Sequence, residues 1–317
     1  MNRSSSKNHF FGKLLLFACI FCIVSFCVPA IATWKMQTHK FALPEGTRTL
    51  LIGDSHIAQG VDDGVIPGAF NSSVSADTYL TAFLRLQLIL RDNPGIRTVL
   101  LGVSPYSLAK GSDETIFRPS LISMKVPYYL PFFGTEEWQL YLSRDAKNFL
   151  RAVFLSPSEY LRGSKLNNKK YLKKLGKFNP RPYQSLDKAI AATRTLEKPF
   201  FWGNSAELHY LEKICVYCHE KNIRLIFLNT PIYNAEKYLD TSYFYKVLNE
   251  KFPDIELWDY MKLDIPDSHR EDINHLNEQG ARVFSLIIAK RLEGQEPEFS
   301  RALTIQAPER NRASNGE

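Results

Sequence analysis

The sequence predicts an α/β protein, a three-layer sandwich in which helices cover both faces of a mostly parallel sheet. Short apolar runs alternate with longer segments whose apolar residues recur at helical spacing. Such alternation needs crossover connections, and these produce parallel strands. With 317 residues, of which 44% are apolar and 13% aromatic, the chain is long and apolar enough to bury a sizeable core.

Five apolar segments predict strands, and the amphipathic segments between them predict helices. The strands are expected at 48–53, 69–74, 97–103, 224–229 and 255–260. The helices are expected at 77–91, 205–221, 235–251 and 278–292. These elements predict one α/β domain over 48–293, preceded by a linker at 36–47 and followed by a disordered C-terminal tail at 294–317.

An insertion at about 106–203 interrupts this alternation. It is rich in Pro, Tyr and Phe, and it contains a helical segment near 136–154. Between Arg162 and Arg181 it has no acidic residue, which favours either a solvated face or contact with an anionic lipid or polymer. The basic residues of this stretch are Lys165, Lys169, Lys170, Lys173, Lys174, Lys177 and Arg181.

Residues 1–35 predict a transmembrane anchor or a secretion signal. A basic flank precedes an uncharged run at 14–33, which is long enough to span a bilayer. The positive flank predicts a cytoplasmic N-terminus and an extracytoplasmic body, that is, a single-pass protein of the cytoplasmic (inner) membrane with a periplasmic domain. The small residues of 29–32 are also typical of a cleavage site, so both interpretations stay open.

The net charge of +7 and a pI near 9.0 favour anionic partners such as a membrane surface or an acidic polymer. The sequence has no nucleic-acid-binding motif, so we expect no nucleic-acid partner.

Two short segments far apart in the chain carry residues for nucleophilic chemistry. Ser55 follows the first predicted strand, and Asp272 and His275 precede the last predicted helix. A serine hydroxyl can attack an acyl carbonyl when a histidine accepts its proton and a carboxylate orients that histidine. We therefore predict that Ser55 is the nucleophile, His275 the base and Asp272 the orienting carboxylate.

Other polar residues also fall at the carboxyl ends of predicted strands, where the active sites of parallel sheets collect. Asp54 is expected to accept hydrogen bonds from turn amides while lining the site. His56, Ser104 and Asn229 are further candidates to line it. We expect neither a metal nor another cofactor.

Over 48–104 and 204–293 these motifs resemble the SGNH (GDSL-like) hydrolase superfamily, which has a flavodoxin-like fold. Gly53-Asp54-Ser55 is similar to the first sequence block of the family, residues 71–78 to the second, and Asp272-x-x-His275 to the last. The resemblance implies an oxyanion hole that includes the Ser55 and Ala76 N–H groups.

Two positions depart from the family pattern. Ala76 stands where the second block usually has glycine. Alanine is expected to be acceptable at this position only if its φ is not positive. Ser104 stands where the third block has the asparagine that completes the oxyanion hole, and its shorter side chain is the candidate replacement. Loss of one such donor lowers turnover by roughly 10²–10³-fold.

The apolar N-terminal run and the ending Asp-x-x-His-Leu-Asn resemble the membrane-anchored, DltD-like members that acylate cell-surface polymers. This resemblance implies an extracytoplasmic serine acyl-ester hydrolase or O-acyltransferase that acts on a cell-envelope polymer or glycan. Its partners would be an acyl-bearing small molecule or a cell-surface polysaccharide, the membrane through residues 14–33, and a polytopic membrane acyltransferase.

Two alternatives remain. The altered oxyanion blocks are also consistent with a catalytically inactive SGNH-like module that binds glycan or acts as a scaffold in an envelope complex. Cys215-x-x-Cys218-His219 matches the c-type haem attachment pattern. The apolar periodicity around these cysteines instead favours two thiols packed on the core face of a helix.

Overall fold

The computed structural model describes residues 3–27, 30–31, 34, 37–38, 40–108, 112–161, 176–182, 205–235 and 241–295. The predicted tail at 294–317 lies outside the described residues beyond Gln295, as do parts of the insertion. Of the basic stretch predicted to meet solvent or an anionic partner, only Lys177 and Arg181 are described.

The described strands form one five-stranded sheet in the order β2-β1-β3-β4-β5, and every neighbouring pair is parallel. This confirms the α/β class and the parallel sheet. The chain order reverses around β1, and in open sheets ligands bind at the carboxyl ends of strands beside such a switch point. The strands are β1 (Thr49–Ile52), β2 (Ala69–Asn71), β3 (Thr98–Gly102), β4 (Arg224–Asn229) and β5 (Glu256–Asp259).

Nine α-helices are described. The helix predicted at 235–251 is seen from Ser242 onwards, and 236–240 lie outside the described residues. The helices are α1 (Arg3–Cys22), α2 (Ser55–Gly60), α3 (Tyr79–Asp92), α4 (Ser112–Phe117), α5 (Pro119–Tyr129), α6 (Thr135–Leu161), α7 (Ala206–Glu220), α8 (Ser242–Lys251) and α9 (Glu278–Leu292).

Apolar side chains cover both faces of the sheet because successive residues of a strand point to opposite sides. In β1, Leu50 and Ile52 face α3, α7 and α8, whereas Leu51 faces α2 and α9. All three leucine and isoleucine side chains are fully buried. The two separate cores produce the three layers that the sequence predicts.

The described part of the insertion packs on the first of these cores. Ile122 and Val126 of α5 and Phe149 of α6 are fully buried and belong to the same apolar cluster as Leu50. Helix α6 is kinked at Asp145, where φ is −152° and ψ is 66°. These helices therefore extend the main domain on its α3 side.

The N-terminal segment differs from the predicted span at 14–33. Helix α1 begins and ends earlier, at Arg3 and Cys22, and a π-helical turn follows at Ile23–Cys27. The helix thus includes the basic flank as well as part of the apolar run. Within the described ranges, no helix combines the length and apolarity needed to cross a membrane.

The two cysteines of the haem-like motif lie on α7, and both are free thiols. Cys218 is fully buried and packs with Tyr210, Leu211 and Ile214 in the core beside α3. Burial raises the pKa of both thiols to about 12, which keeps them protonated. Their environment is that of core side chains, in agreement with the periodicity of the helix.

Candidate active site

Ser55 is presented by a sharp connection between β1 and α2. The Asp54 carboxylate caps α2 by accepting a hydrogen bond from the His56 N–H at 2.9 Å, and Ser55 is the first residue of that helix. Gly53 allows this close packing, since a Cβ there would lie 2.8 Å from the Ile57 side chain and 3.2 Å from the Gly102 Cα. Ser55 therefore stands at the carboxyl edge of the sheet, as predicted.

Asp272 and His275 lie on a short closed loop before α9. Arg270 and Leu276 form a β-bridge across its base, and the Glu271 N–H donates to the His275 carbonyl at 3.0 Å. Asn277 then caps α9, since its side chain accepts from two N–H groups of the first turn at 3.0 and 3.1 Å. The bridge and the cap hold the loop against the amino end of the helix.

These two segments meet. His275 Nε2 lies 2.9 Å from Ser55 Oγ, and His275 Nδ1 lies 3.0 Å from both carboxylate oxygens of Asp272. Asp272 Oδ1 also accepts from the backbone N–H groups of Asn274 at 2.7 Å and of His275 at 2.9 Å. The three side chains thus form one hydrogen-bonded chain of hydroxyl, imidazole and carboxylate.

Electrostatics favour an ionised Asp272. Partial burial raises the pKa of this carboxyl, but hydrogen bonds from the His275 ring and from two backbone amides outweigh burial and leave the pKa lowered. An ionised carboxylate beside Nδ1 keeps the proton on that nitrogen. Nε2 is then the unprotonated nitrogen that faces the serine hydroxyl.

The cleft in front of Ser55 has a volume of about 250 Å³. Ser55 and Ala76 both line it, and within the described ranges neither of their N–H groups has a protein acceptor. These are the two amides that the SGNH resemblance implies for an oxyanion hole. Ala76 has a φ of +55°, contrary to the expectation that alanine is acceptable here only with a negative φ. This left-handed conformation costs a non-glycine residue about 1–2 kcal/mol.

Two predicted site residues lie elsewhere. Ser104 is 2% exposed, and its hydroxyl lies 2.9 Å from that of Ser107, which lines the cleft whereas Ser104 does not. Asn229 is fully buried at the end of β4, where its side-chain amide donates to Asp259 at 3.0 Å and braces β5. Ser104 follows β3 and Asn229 is the last residue of β4, and both residues are buried.

His56 lies beside His275. Its ring is 5.1 Å from the His275 ring and stacks on Tyr106 at 5.7 Å, and it lines the cleft together with Asp54. Burial lowers the pKa of His56, outweighing the attraction of Asp54, so the neutral ring is favoured. Within the described residues its Nδ1 has no hydrogen-bond partner.

The lowered pKa of His56 predicts that stability falls in acid. The unfolded chain takes up a proton on this ring below about pH 6.5, whereas the folded chain resists it, so protonation favours unfolding. We expect the urea midpoint to fall more steeply from about pH 7.5 to about pH 5.5 in the wild type than in His56→Phe. Other buried titrating groups such as Glu207 are common to both proteins. Equal pH slopes in the two proteins would contradict the burial of a neutral His56.

Several residues that line the cleft are not predicted from the sequence. Tyr106 donates from its hydroxyl to the Asn274 side chain at 2.7 Å, and burial raises the pKa of Tyr106 to about 12. Arg118 and Glu207 also line the cleft. Burial also raises the pKa of Glu207 well above its ordinary value, and its carboxyl accepts from the Tyr79 N–H at 2.6 Å. None of these residues stands in a motif, so no local signal marks it.

A described part of the insertion, 176–182, crosses this edge of the domain. The Asn179 N–H donates to the Ala58 carbonyl at 2.7 Å, and the Arg181 carbonyl accepts from the Glu278 N–H at 3.0 Å. The Arg181 guanidinium lies 3.8 Å from the carboxylate of Glu271, the residue before Asp272. The segment therefore links α2 to the start of α9.

Glu271, Asp272 and His275 are the described residues that could together offer ligand atoms to a metal ion, all within 4.8 Å of one another. Both Asp272 and His275 are already joined to each other in the chain that leads to Ser55. Because both ring nitrogens of His275 are engaged in that chain, the arrangement suits nucleophilic chemistry.

No family model and no curated protein matches this chain. Among solved structures, a GDSL-like lipase from Bacteroides thetaiotaomicron is 10% identical in sequence and has a TM-score of 0.37. That match covers 86% of this chain and 98% of the lipase.

Proposed function

We propose that this chain is a serine acyl-ester hydrolase or O-acyltransferase of the SGNH type. The observation that carries the proposal is the hydrogen-bonded chain from Ser55 Oγ through the His275 ring to Asp272, with distances of 2.9 and 3.0 Å. These lengths suit proton transfer between a hydroxyl and a general base. The two amides of Ser55 and Ala76 in the same cleft supply donors for an oxyanion.

The reaction follows from this geometry. Ser55 Oγ attacks the acyl carbonyl carbon, and its proton passes to His275 Nε2 as the new carbon–oxygen bond forms. The bond to the leaving oxygen then breaks, and His275 returns the proton to that oxygen. Water or an acceptor hydroxyl next attacks the acyl-serine, again with His275 as base, and releases an acid or a new ester. Asp272 orients the ring throughout and stabilises its protonated form.

The proposed setting is the outer side of the cytoplasmic membrane, and the proposed substrate is a cell-envelope polymer or glycan. The basic flank followed by the uncharged run at 14–33 supports export of the body, and the net charge of +7 supports an anionic partner. An acyl-bearing small molecule or a polytopic membrane acyltransferase would supply the acyl group. The proposed location and substrate are independent of the proposed reaction, so each can be tested separately.

A fluorophosphonate probe tests the nucleophile. We expect the wild type to be labelled on Ser55, and we expect labelling to be lost in Ser55→Ala because no hydroxyl remains beside His275. Ser143→Ala, an exposed position on α6, serves as the matched control and should be labelled like the wild type. A membrane-impermeant phosphonate that labels Ser55 in intact spheroplasts would support the external setting.

A second candidate is the inactive glycan-binding or scaffold module. The third block favours it, because Ser104 replaces the asparagine expected there and its hydroxyl is paired with that of Ser107. Turnover of a p-nitrophenyl acetate ester by the wild type would exclude this candidate. Undiminished labelling of Ser55→Ala would instead refute the assignment of the nucleophile.

A further inference from the structure

A buried cluster of charged side chains adjoins the cleft through Asp77, which lines it, and has no part in the proton transfers above. It contains Asp77, Arg85 on α3 and Lys125 on α5, whose side chains are 2%, 0% and 9% exposed. Asp77 accepts from Arg85, from Thr81 Oγ1 at 2.5 Å and from Lys125 at 3.3 Å. Burying a charged side chain costs free energy unless the charge is paired, and in this cluster Asp77 pairs with both Arg85 and Lys125.

The cluster is attached to the strained peptide of the cleft. The Lys125 ammonium donates to the carbonyl oxygen of Ala76 as well as to Asp77, the next residue. Ala76 is the residue with a φ of +55°, and the turn closes with a 3.0 Å hydrogen bond from the Asp77 N–H to the Val74 carbonyl. A strained conformation persists only where its surroundings over-determine it. Lys125 contacts the Ala76 carbonyl, and Asp77, the next residue, binds the same ammonium.

We propose that Lys125 is a positioning residue that, together with Asp77, holds Ala76 in its left-handed conformation so that the Ala76 N–H serves the oxyanion. The inference rests on the proposed function, since it names what keeps one of its two amide donors in place. Glycine would adopt this conformation unaided, whereas alanine needs an external hold. The contact from Lys125 therefore compensates for the alanine that stands where the family has glycine.

The charge balance of the cluster adds to this role. Two cations face one carboxylate, and the pKa of Asp77 is lowered because Arg85 and Lys125 outweigh its burial. Burial and the neighbouring Arg85 lower the pKa of Lys125, while Asp77 opposes that change. Tyr129, the other partner of Arg85, has a raised pKa and stays neutral. The ionised Asp77 thus retains the Lys125 ammonium that donates to the Ala76 carbonyl.

Lys125→Met tests the proposal because it removes the ammonium and keeps an apolar chain of similar length. We expect kcat for an acetyl ester to fall about tenfold to a hundredfold, with KM within about twofold of the wild type. Phosphonate labelling of Ser55 should slow in parallel. Tyr129→Phe is the matched control, since it removes a 3.0 Å hydrogen bond from the same cluster without touching Ala76. It should retain kcat.

The decisive comparison adds Ala76→Gly. Because glycine takes a positive φ without strain, the double variant Lys125→Met/Ala76→Gly should recover most of the lost kcat and labelling rate. If Lys125 merely stabilises the domain, the two substitutions will act additively, and that result overturns the proposal. An unchanged kcat in Lys125→Met overturns it too.

If Lys125→Met does not fold, Lys125→Gln tests the same role of Lys125, because it retains an N–H donor without the charge. The same rescue by Ala76→Gly is expected in that variant. Failure of the proposed function has a different signature, because wild-type Ser55 would then not react with the phosphonate at all. A wild type that labels on Ser55, with Lys125 variants that label equally fast, refutes only the role of Lys125.

Discussion

Asp272→Asn should lower kcat by about 10³–10⁴-fold while leaving the fold intact. The asparagine oxygen can still accept from the backbone amides of Asn274 and His275, which lie 2.7 and 2.9 Å from Asp272 Oδ1. Its NH₂ group, however, would face His275 Nδ1 and stabilise the tautomer protonated on Nε2. That tautomer cannot accept the proton of Ser55.

The measurement is kcat with an acetyl ester, accompanied by the rate of phosphonate labelling and by near-UV circular dichroism. Asp267→Asn makes the same chemical change at an exposed position of the turn at Asp267–His269, and its kcat should match that of the wild type. A loss of less than tenfold in Asp272→Asn would mean that this carboxylate does not set the state of the ring. A loss of the native dichroism would show that its main role is to shape the loop.

Gly280→Ala should destabilise the domain and disable the site together. A Cβ at Gly280, in the first turn of α9, would lie 2.1 Å from the His269 carbonyl oxygen and 3.1 Å from its carbon. Both atoms belong to the backbone, so the loop must move. We expect a loss of about 1–3 kcal/mol in the free energy of unfolding, despite the better helix propensity of alanine.

The same displacement reaches the catalytic loop. The His269 carbonyl accepts from the Asn277 N–H at 3.0 Å, and the Asn277 side chain donates to the Ser268 carbonyl at 2.8 Å. Since a shift of about 1 Å in a catalytic group can lower a rate about 10²-fold, kcat should fall with stability. Urea denaturation and ester turnover measure the two effects.

Gly60→Ala supplies the comparison for that experiment. At the end of α2 a Cβ would meet only the Thr230 methyl at 3.8 Å, which is ordinary contact, so stability and kcat should stay near the wild type. Equal stability of Gly280→Ala and the wild type would show that the loop tolerates displacement. A stable but inactive Gly280→Ala would separate the position of the loop from the stability of the fold.

Local patterns were enough for the elements of the sheet and for most of the helices. The last helix is observed at Glu278–Leu292, as predicted, and β4 at Arg224–Asn229 also agrees. Both have strong apolar periodicity and clear ends, which depend on neighbouring residues only. At the N-terminus, helix α1 spans Arg3–Cys22 and so includes the charged flank as well as part of the uncharged run at 14–33.

Strand ends alone did not identify the residues that line the cleft. Ser55 and Ser104 follow strands and Asn229 ends one, but of these three only Ser55 lines the cleft. A side chain at a strand end faces the cleft or the core according to the turn that follows. The turn after β3 directs Ser104 to Ser107, and the neighbouring β5 binds Asn229.

By itself, the sequence determined the parallel α/β sheet and the chemical types that meet at its edge, because periodicity and residue identity are properties of the chain. Only the tertiary structure decided which groups touch and how the strained amide is held. Ser55 and His275 are 220 positions apart, and Ala76 and Lys125 are 49 apart. Contacts across such separations depend on the packing of whole helices against the sheet, which no local pattern encodes.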